Sequence, residues 1–268
     1  NEMNGTSGQP AVKQIGLSQW YTLRNLQRSP IGAVKASALT KTDVIGHCRA
    51  RKAQGVLPQT CQQDMTYLSG SLKYAGAAWD DCEDISDAAV AAARPFLMKH
   101  RLICKSEPRK RRPTQDELDR LVAYFNQPPK KKNKGLIDMV RVTRWQVASG
   151  RRISETCRLL WSDWNREEHT MLVRKMKDPR TRDKQKVVAL PESAQALLEE
   201  WFPLRDPNEP RIFPYNAKSA GAKYTRGKKE LGIHGLRLHD SRRECYTRLV
   251  ENDGYSLEEA ILVTGHET

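Results

Sequence analysis

The chain has 268 residues, of which 38% are hydrophobic, and it carries a formal net charge of +14 with a sequence pI of about 9.6. This length allows one large or two modest domains, and neither a signal peptide nor an apolar run as long as a membrane span is recognisable. The six cysteines are far apart, without a CxxC pair or a Cys/His cluster, which disfavours a disulfide scaffold and a zinc site and indicates unpaired thiols in a reducing cytoplasm.

The first third of the chain predicts a small helical bundle. Residues 1–16 are polar, contain glycine and proline, and are expected to be a loose segment. Prolines and glycines then separate four stretches of helical pattern, and none of them is typical of a strand. The predicted helices cover 17–27, 40–53, 58–79 and 86–101. We therefore expect a helical domain over 17–105.

A charged, proline-containing stretch interrupts this pattern, and we interpret residues 106–113 as a basic interdomain linker. Thr114 and Glu117 then form a capping-box pattern, which predicts the start of a new helix and of a second domain over 114–268.

The second domain is predicted to be mainly α with a small antiparallel β-sheet, an α+β domain. The stretches 170–176 and 186–190 are rich in apolar and β-branched residues and predict a β-hairpin. Ser256 and Glu259 form a second capping-box pattern. The predicted helices cover 135–150, 191–202, 216–231, 239–252 and 256–264, and the first of them is closed by Gly150.

The basic residues are concentrated in four bursts, at 105–113, 128–134, 174–186 and 223–229. A single burst is usually a solvated loop, but four without a comparable acidic run favour a phosphate-binding surface, with nucleic acid as the first candidate. An anionic membrane surface is the competing partner. It is disfavoured because no burst lies on an amphipathic helix with a large apolar face.

The segment 235–250, GLRLHDSRRECYTRLV, raises a question about charge. Helical spacing places His239, Arg242, Tyr246 and Leu249 on one apolar stripe. A guanidinium keeps its proton at neutral pH, and burying it without a partner is costly. The anion that Arg242 meets is therefore either a carboxylate of this chain or a ligand.

Four short motifs of the second domain carry candidate chemistry. They are ASGRRISE at 148–155, VRKMKDP at 173–179, LHDSRRE at 238–244 and TGHE at 264–267. In this order and spacing they resemble the tyrosine recombinases, especially the phage-type integrases, in which an R…K…HxxR…H set surrounds one scissile phosphate. The resemblance is strong over roughly 110–268, and the N-terminal bundle is similar only in helix pattern and basic linker to the core-binding domain of that family.

The resemblance implies a role for each matching residue. Arg152 and Arg242 would clamp the phosphate, because guanidinium groups offer bidentate donors to its oxygens. His239 and His266 would donate hydrogen bonds or assist proton transfer, and Lys177 would protonate the leaving 5′ oxygen. Lys175 and Lys184 lie near Lys177 in the sequence. Arg151 is the variable position of the motif, and Glu155 is expected to hold Arg152 in place. DNA-phosphate contacts are expected from Arg109, Lys110, Arg111, Arg112, Lys131, Lys132, Arg180 and Arg182.

The sequence departs from the family at the nucleophile. The family attacks with a tyrosine that lies shortly after the Gly-His box, but only Glu267 and Thr268 follow His266 here. We therefore expect that the nucleophile is missing from this chain, which would bind DNA without cleaving it. Many integrases carry an arm-binding domain, for which residues 1–16 are too short. Because the chain opens on Asn1 rather than Met, we expect that this domain has been removed, although simpler members of the family never have it.

The predicted function of the parent protein is site-specific DNA recombination through a 3′-phosphotyrosyl intermediate, without a cofactor or metal. The expected partners are duplex DNA carrying a recombination site, other copies of the chain as a dimer to tetramer, and accessory DNA-bending proteins, but no membrane. The expected location is the cytoplasm, at the nucleoid of a bacterial or phage-encoded system. The alternatives are a non-catalytic DNA-binding relative, a type IB topoisomerase-like enzyme and an RNA-binding protein. Because no aromatic-rich RNA-binding strand is present, the last is disfavoured.

Overall fold

The structure is a computed structural model that describes residues 15–128, 137–176 and 185–264. The chain divides into two compact units, Asn1–Pro108 and Arg109–Thr268. We call them unit 1 and unit 2. The division falls inside the stretch predicted as the linker.

Unit 1 is helical throughout its described part, without a strand, as the sequence predicted. Its second helix begins with a capping box between Thr40 and Asp43, and its third begins at a proline, where the missing backbone donor costs nothing. The four helices are α1 Leu17–Arg28, α2 Lys41–Ala53, α3 Pro58–Ala78 and α4 Ala88–Lys99, with short 3₁₀ turns between α1 and α2 and between α3 and α4. Their inward faces bury one hydrophobic cluster that includes Val44, Met65 and Leu97.

Unit 2 contains seven helices in its described part. The predicted capping boxes are both formed: Glu117 N–H donates to Thr114 at 3.2 Å, and Glu259 N–H donates to Ser256 at 3.2 Å. The helices are α5 Gln115–Phe125, α6 Met139–Ser149, α7 Ile153–Thr156, α8 Glu192–Trp201, α9 Ala217–Glu230, α10 Asp240–Glu251 and α11 Leu257–Thr264. All but the one-turn α7 were predicted, with bounds that differ by a few residues.

The predicted hairpin is confirmed, and a third strand extends it. The sheet has the order β1-β2-β3 with antiparallel pairing, and Met171 lies opposite both Trp164 and Val188. The strands are β1 Trp164–Asn165, β2 Thr170–Val173 and β3 Lys186–Ala189. The sequence did not predict β1 because two residues are too few for an alternating pattern to emerge.

The core of unit 2 surrounds α6, which packs against α5, α8, α9 and α10. Aromatic rings fill its centre: the ring of Trp145 lies 5.6 Å from that of Phe213 and 6.4 Å from that of Trp201. Because α6 packs against four helices, the turn that follows it is fixed relative to α10. Within the described ranges, no helix combines the length and the apolar character that a membrane crossing needs.

Two glycines of α9 provide a test of this packing. A Cβ at Gly227 would lie 2.6 Å from the Phe125 ring on α5, whereas a Cβ at Gly221 would meet nothing within 4 Å. We expect Gly227→Ala to lower the free energy of unfolding of unit 2 by about 1–3 kcal/mol through overpacking. Gly221→Ala should be neutral or raise it by up to about 1 kcal/mol, because alanine is the better helix former. Chemical denaturation of both variants checks this, and equal effects would contradict the observed packing of α5 on α9.

Candidate phosphate-binding site

The turn between α6 and α7 supplies the first part of the site. Gly150 ends α6 with a left-handed backbone, φ +60°, which favours glycine. A Cβ there would also lie 3.1 Å from Cys245 Sγ and 3.2 Å from Thr264 Cγ2. This close approach brings the turn against α10 and α11. Arg151 and Arg152 then follow before α7 begins.

Arg152 is held by Glu155, as the sequence predicted. Glu155 Oε1 accepts a hydrogen bond from Arg152 Nη1 at 2.8 Å, and Glu155 Oε2 accepts one from the Arg152 backbone N–H at 3.2 Å. The carboxylate is buried, at 1% exposure, but about 30% of the Arg152 side chain remains exposed. The guanidinium therefore keeps a fixed direction and an open side that a ligand can reach.

Arg242 enters the site from α10 and is almost fully buried, at 2% exposure. Its Nη1 donates to the Gly150 carbonyl at 2.9 Å. Burial, and then the charges of Arg152 and Arg151, lower the pKa of Arg242 to about 10, while the charge of Glu155 opposes this shift. The guanidinium thus stays protonated at neutral pH. The partners of Arg242 within the chain therefore include the Gly150 carbonyl and the nearby carboxylate of Glu155.

His239 precedes α10, and its position corrects the sequence interpretation. The helix begins at Asp240, and His239 is exposed rather than on the buried stripe with Arg242. Partial burial of the ring lowers the pKa of His239, and the charges of Arg242 and Arg152 lower it further. The imidazole is therefore neutral at pH 7. His239 lies three positions before Arg242, and Arg242 Nη1 donates to the carbonyl of Gly150, two positions before Arg152, so the three residues belong to one region.

Arg151 is buried, in contrast to its partly exposed neighbour Arg152. It is buried to 1% exposure and donates hydrogen bonds to the carbonyl oxygens of Ser149 and Val263. Burial lowers the pKa of Arg151, and the Glu155 charge opposes the shift. Sequence reasoning assigned no role to this residue, because nothing in the motif shows that two adjacent arginines point in different directions.

The structure thus brings together Arg152, His239 and Arg242, whereas Lys177 and His266 lie outside the described residues. The same is true of four cations predicted to contact DNA. These are Lys131, Lys132, Arg180 and Arg182.

The arginines predicted to contact DNA from the linker have carboxylate partners within unit 2. Arg109 pairs with Asp240 at 2.8 Å, and Arg112 pairs with Glu244 at 3.1 Å, both on α10. Arg111 pairs with Glu117 at the start of α5. These ion pairs fasten the beginning of unit 2 to its own helices. DNA contact by these arginines, and by the exposed Lys110, stays a prediction.

The fold of unit 2, with its helices around a three-stranded antiparallel sheet, is that of a tyrosine recombinase catalytic domain. The model of the phage integrase family matches residues 111–268, and the chain belongs to this family. The general activity of the family is site-specific DNA recombination. No curated protein matches the chain.

Solved structures of two integrases share the fold. The integrase of the transposon Tn1549, in complex with a circular intermediate DNA, is 16% identical with a TM-score of 0.70, over 94% of this chain and 85% of that one. A lambda integrase dimer bound to a COC′ core site is 18% identical with a TM-score of 0.70, over 96% and 71%. A lambda integrase tetramer bound to a Holliday junction is 17% identical with a TM-score of 0.67, over 96% and 74%.

Proposed function

We propose that this chain binds a recombination site in duplex DNA and holds one scissile phosphate for site-specific recombination through a 3′-phosphotyrosyl intermediate. The observation that carries the proposal is the gathering of Arg152, Arg242 and His239 at the α6–α7 turn and the start of α10. With Arg151, three guanidinium charges are opposed by the charge of Glu155, an excess of two positive charges among these four groups. A phosphodiester is an anion that such a site attracts.

The chemistry follows from the properties of these groups. Phosphoryl transfer needs charge stabilisation on the non-bridging oxygens, and Arg152 and Arg242 provide it from a fixed geometry. The neutral ring of His239 donates a hydrogen bond to one of these oxygens. In the same proposal, Lys177 protonates the leaving 5′ oxygen and His266 assists proton transfer.

In our proposal, the attacking tyrosine is none of the eight tyrosines of this sequence. Tyr246 and Tyr255 are closest in sequence to the motifs of the site. Both pack, partly buried, against the small cluster of Cys245, Leu249 and Ala260. Burial also raises the pKa of Tyr255, which makes its hydroxyl a weaker nucleophile at neutral pH.

The 268-residue chain should therefore bind its site without forming a covalent adduct. A nicked duplex with a site selected for binding, incubated with the chain and resolved on a denaturing gel, tests this. We expect only free DNA. A slow-migrating band that disappears in Tyr246→Phe or Tyr255→Phe would show that the chain carries its own nucleophile and would refute this part of the proposal.

Duplex binding should weaken steeply with salt. Each phosphate that the chain neutralises contributes about 0.9 to the slope of log affinity against log salt, so several contacts give a slope of several units. Fluorescence anisotropy with labelled duplex across a salt series measures this slope, and single-stranded DNA of the same sequence is the control. A flat salt dependence, or a preference for the single strand, would contradict the proposed duplex partner.

We also propose that several copies of the chain assemble on one recombination site, as a dimer to tetramer, because strand exchange requires two duplexes to be cleaved in one complex. Mass measurement of the chain alone and with its site tests this. One copy per site at saturating protein would argue for a non-catalytic DNA-binding role.

A further inference from the structure

The buried guanidinium of Arg151 joins the ends of two helices that are distant in sequence. Ser149 is the last residue of α6, and Val263 lies in the last turn of α11. Carbonyl groups at a helix C-terminus lack donors within the helix and carry partial negative charge, so a cation is favourable there. Arg151 donates to the carbonyl oxygens of both residues.

The contact between the ends of α6 and α11, which we call the junction, also determines where Arg242 lies. The Gly150 carbonyl, which accepts the hydrogen bond from Arg242, belongs to the residue between Ser149 and Arg151. Two further contacts lie at this junction: Cys245 Sγ donates to the Ala148 carbonyl at 3.4 Å, and Thr264 lies against Gly150. A movement of the α11 end would therefore reach the turn that carries Arg152 and orients Arg242.

We propose that Arg151 is a positioning residue, which ties the C-terminal end of α11 to that of α6 and thereby fixes the phosphate-binding turn. In this proposal Arg151 does not touch the phosphate itself, because its Nε and Nη2 groups already donate to the carbonyl oxygens of Ser149 and Val263. The use of the turn to bind phosphate rests on the function proposed above. The junction between α6 and α11 does not depend on that proposed function.

The test compares Arg151→Met and Arg151→Lys with Leu198→Ala, a variant of the fully buried Leu198 in the core of unit 2. Affinities are measured at temperatures where each variant is folded. We expect Arg151→Met to lose about tenfold or more in duplex affinity, the size of a lost charged hydrogen bond. Its salt slope should not change, because no phosphate contact is lost. Arg151→Lys should recover at least half of the loss on a logarithmic scale, and Leu198→Ala should stay within about twofold of the parent chain.

Amide hydrogen exchange on the DNA-free chain provides a second readout. We expect α11 to exchange faster in Arg151→Met, while the same amides stay protected in Leu198→Ala and in Arg151→Lys. If Arg151→Met and Leu198→Ala behave alike in binding and in exchange, the role of Arg151 is only structural and the proposal fails. A salt slope reduced by about 0.9 in Arg151→Met would mean direct phosphate contact and would also overturn it. If the parent chain does not bind duplex DNA at all, the proposed function fails, and exchange alone still decides whether Arg151 holds α11.

Discussion

Glu155→Gln should lower the free energy of unfolding of unit 2 by about 3–5 kcal/mol, the cost of removing one partner from buried charges. Glu155 is buried, and its charge offsets those of Arg151 and Arg242, both also buried. Glutamine keeps the size and much of the hydrogen bonding but not the charge. The three guanidinium groups then repel one another without the opposing charge of Glu155. Chemical denaturation without DNA measures the loss.

A matched control is Glu199→Gln, which removes the partner of Arg166 in an exposed ion pair. A surface pair of this kind contributes about 0–1 kcal/mol. If the two substitutions cost the same, the positive charges of the site are offset by groups other than Glu155.

Duplex DNA should partly restore the stability of the Glu155→Gln variant, because a bound phosphate supplies the negative charge that the substitution removes. Ligand binding to the folded state raises apparent stability in proportion to the logarithm of ligand excess over the dissociation constant. The increase in melting temperature on adding duplex should therefore be larger for Glu155→Gln than for the parent chain. An equal increase would indicate that phosphate binds away from this cluster.

Much of the fold could be predicted from the sequence because its signals are local. The capping boxes at Thr114 and Ser256 mark where α5 and α11 begin, and Gly150 marks where α6 ends. The short elements α7 and β1 could not be predicted in this way, because one helical turn or two strand residues contain no complete period. They form because the surrounding core of unit 2 holds them.

The site was predicted less completely, since its geometry depends on long-range contacts. The motifs predicted that Arg152 and Arg242 lie in one site and that Glu155 holds Arg152, but the buried position of Arg151 includes a contact with Val263, 112 positions further along the chain. In the same way, the basic linker contains Arg112, whose carboxylate partner lies 132 positions away. Charge patterning shows that a cation is present and cannot show which anion the fold brings to it.

Arg152→Met and Arg242→Met should each weaken duplex binding by about tenfold to a hundredfold, the range for one charge-assisted hydrogen-bonding group. Neither should unfold the chain. The charges of three guanidinium groups are opposed by the one charge of Glu155, so removing one of them leaves two positive charges near this carboxylate, in contrast to removal of the carboxylate itself. Thermal melts without DNA check this, and a large loss of stability in both variants would mean that the internal carboxylate, rather than a ligand, is their main partner.

The double variant decides whether the two arginines hold the same phosphate. If they do, Arg152→Met and Arg242→Met together should reduce the salt slope by about 0.9 in total, whereas two separate phosphates would reduce it by about 1.8. The losses in binding free energy should also be non-additive, because residues that share one partner are coupled. Arg211→Met, which removes a guanidinium already paired with Glu209, is the control and should leave both quantities unchanged. Additive losses with the larger change in slope would show that Arg152 and Arg242 contact different phosphates, and the single clamp proposed for the scissile phosphate would then be wrong.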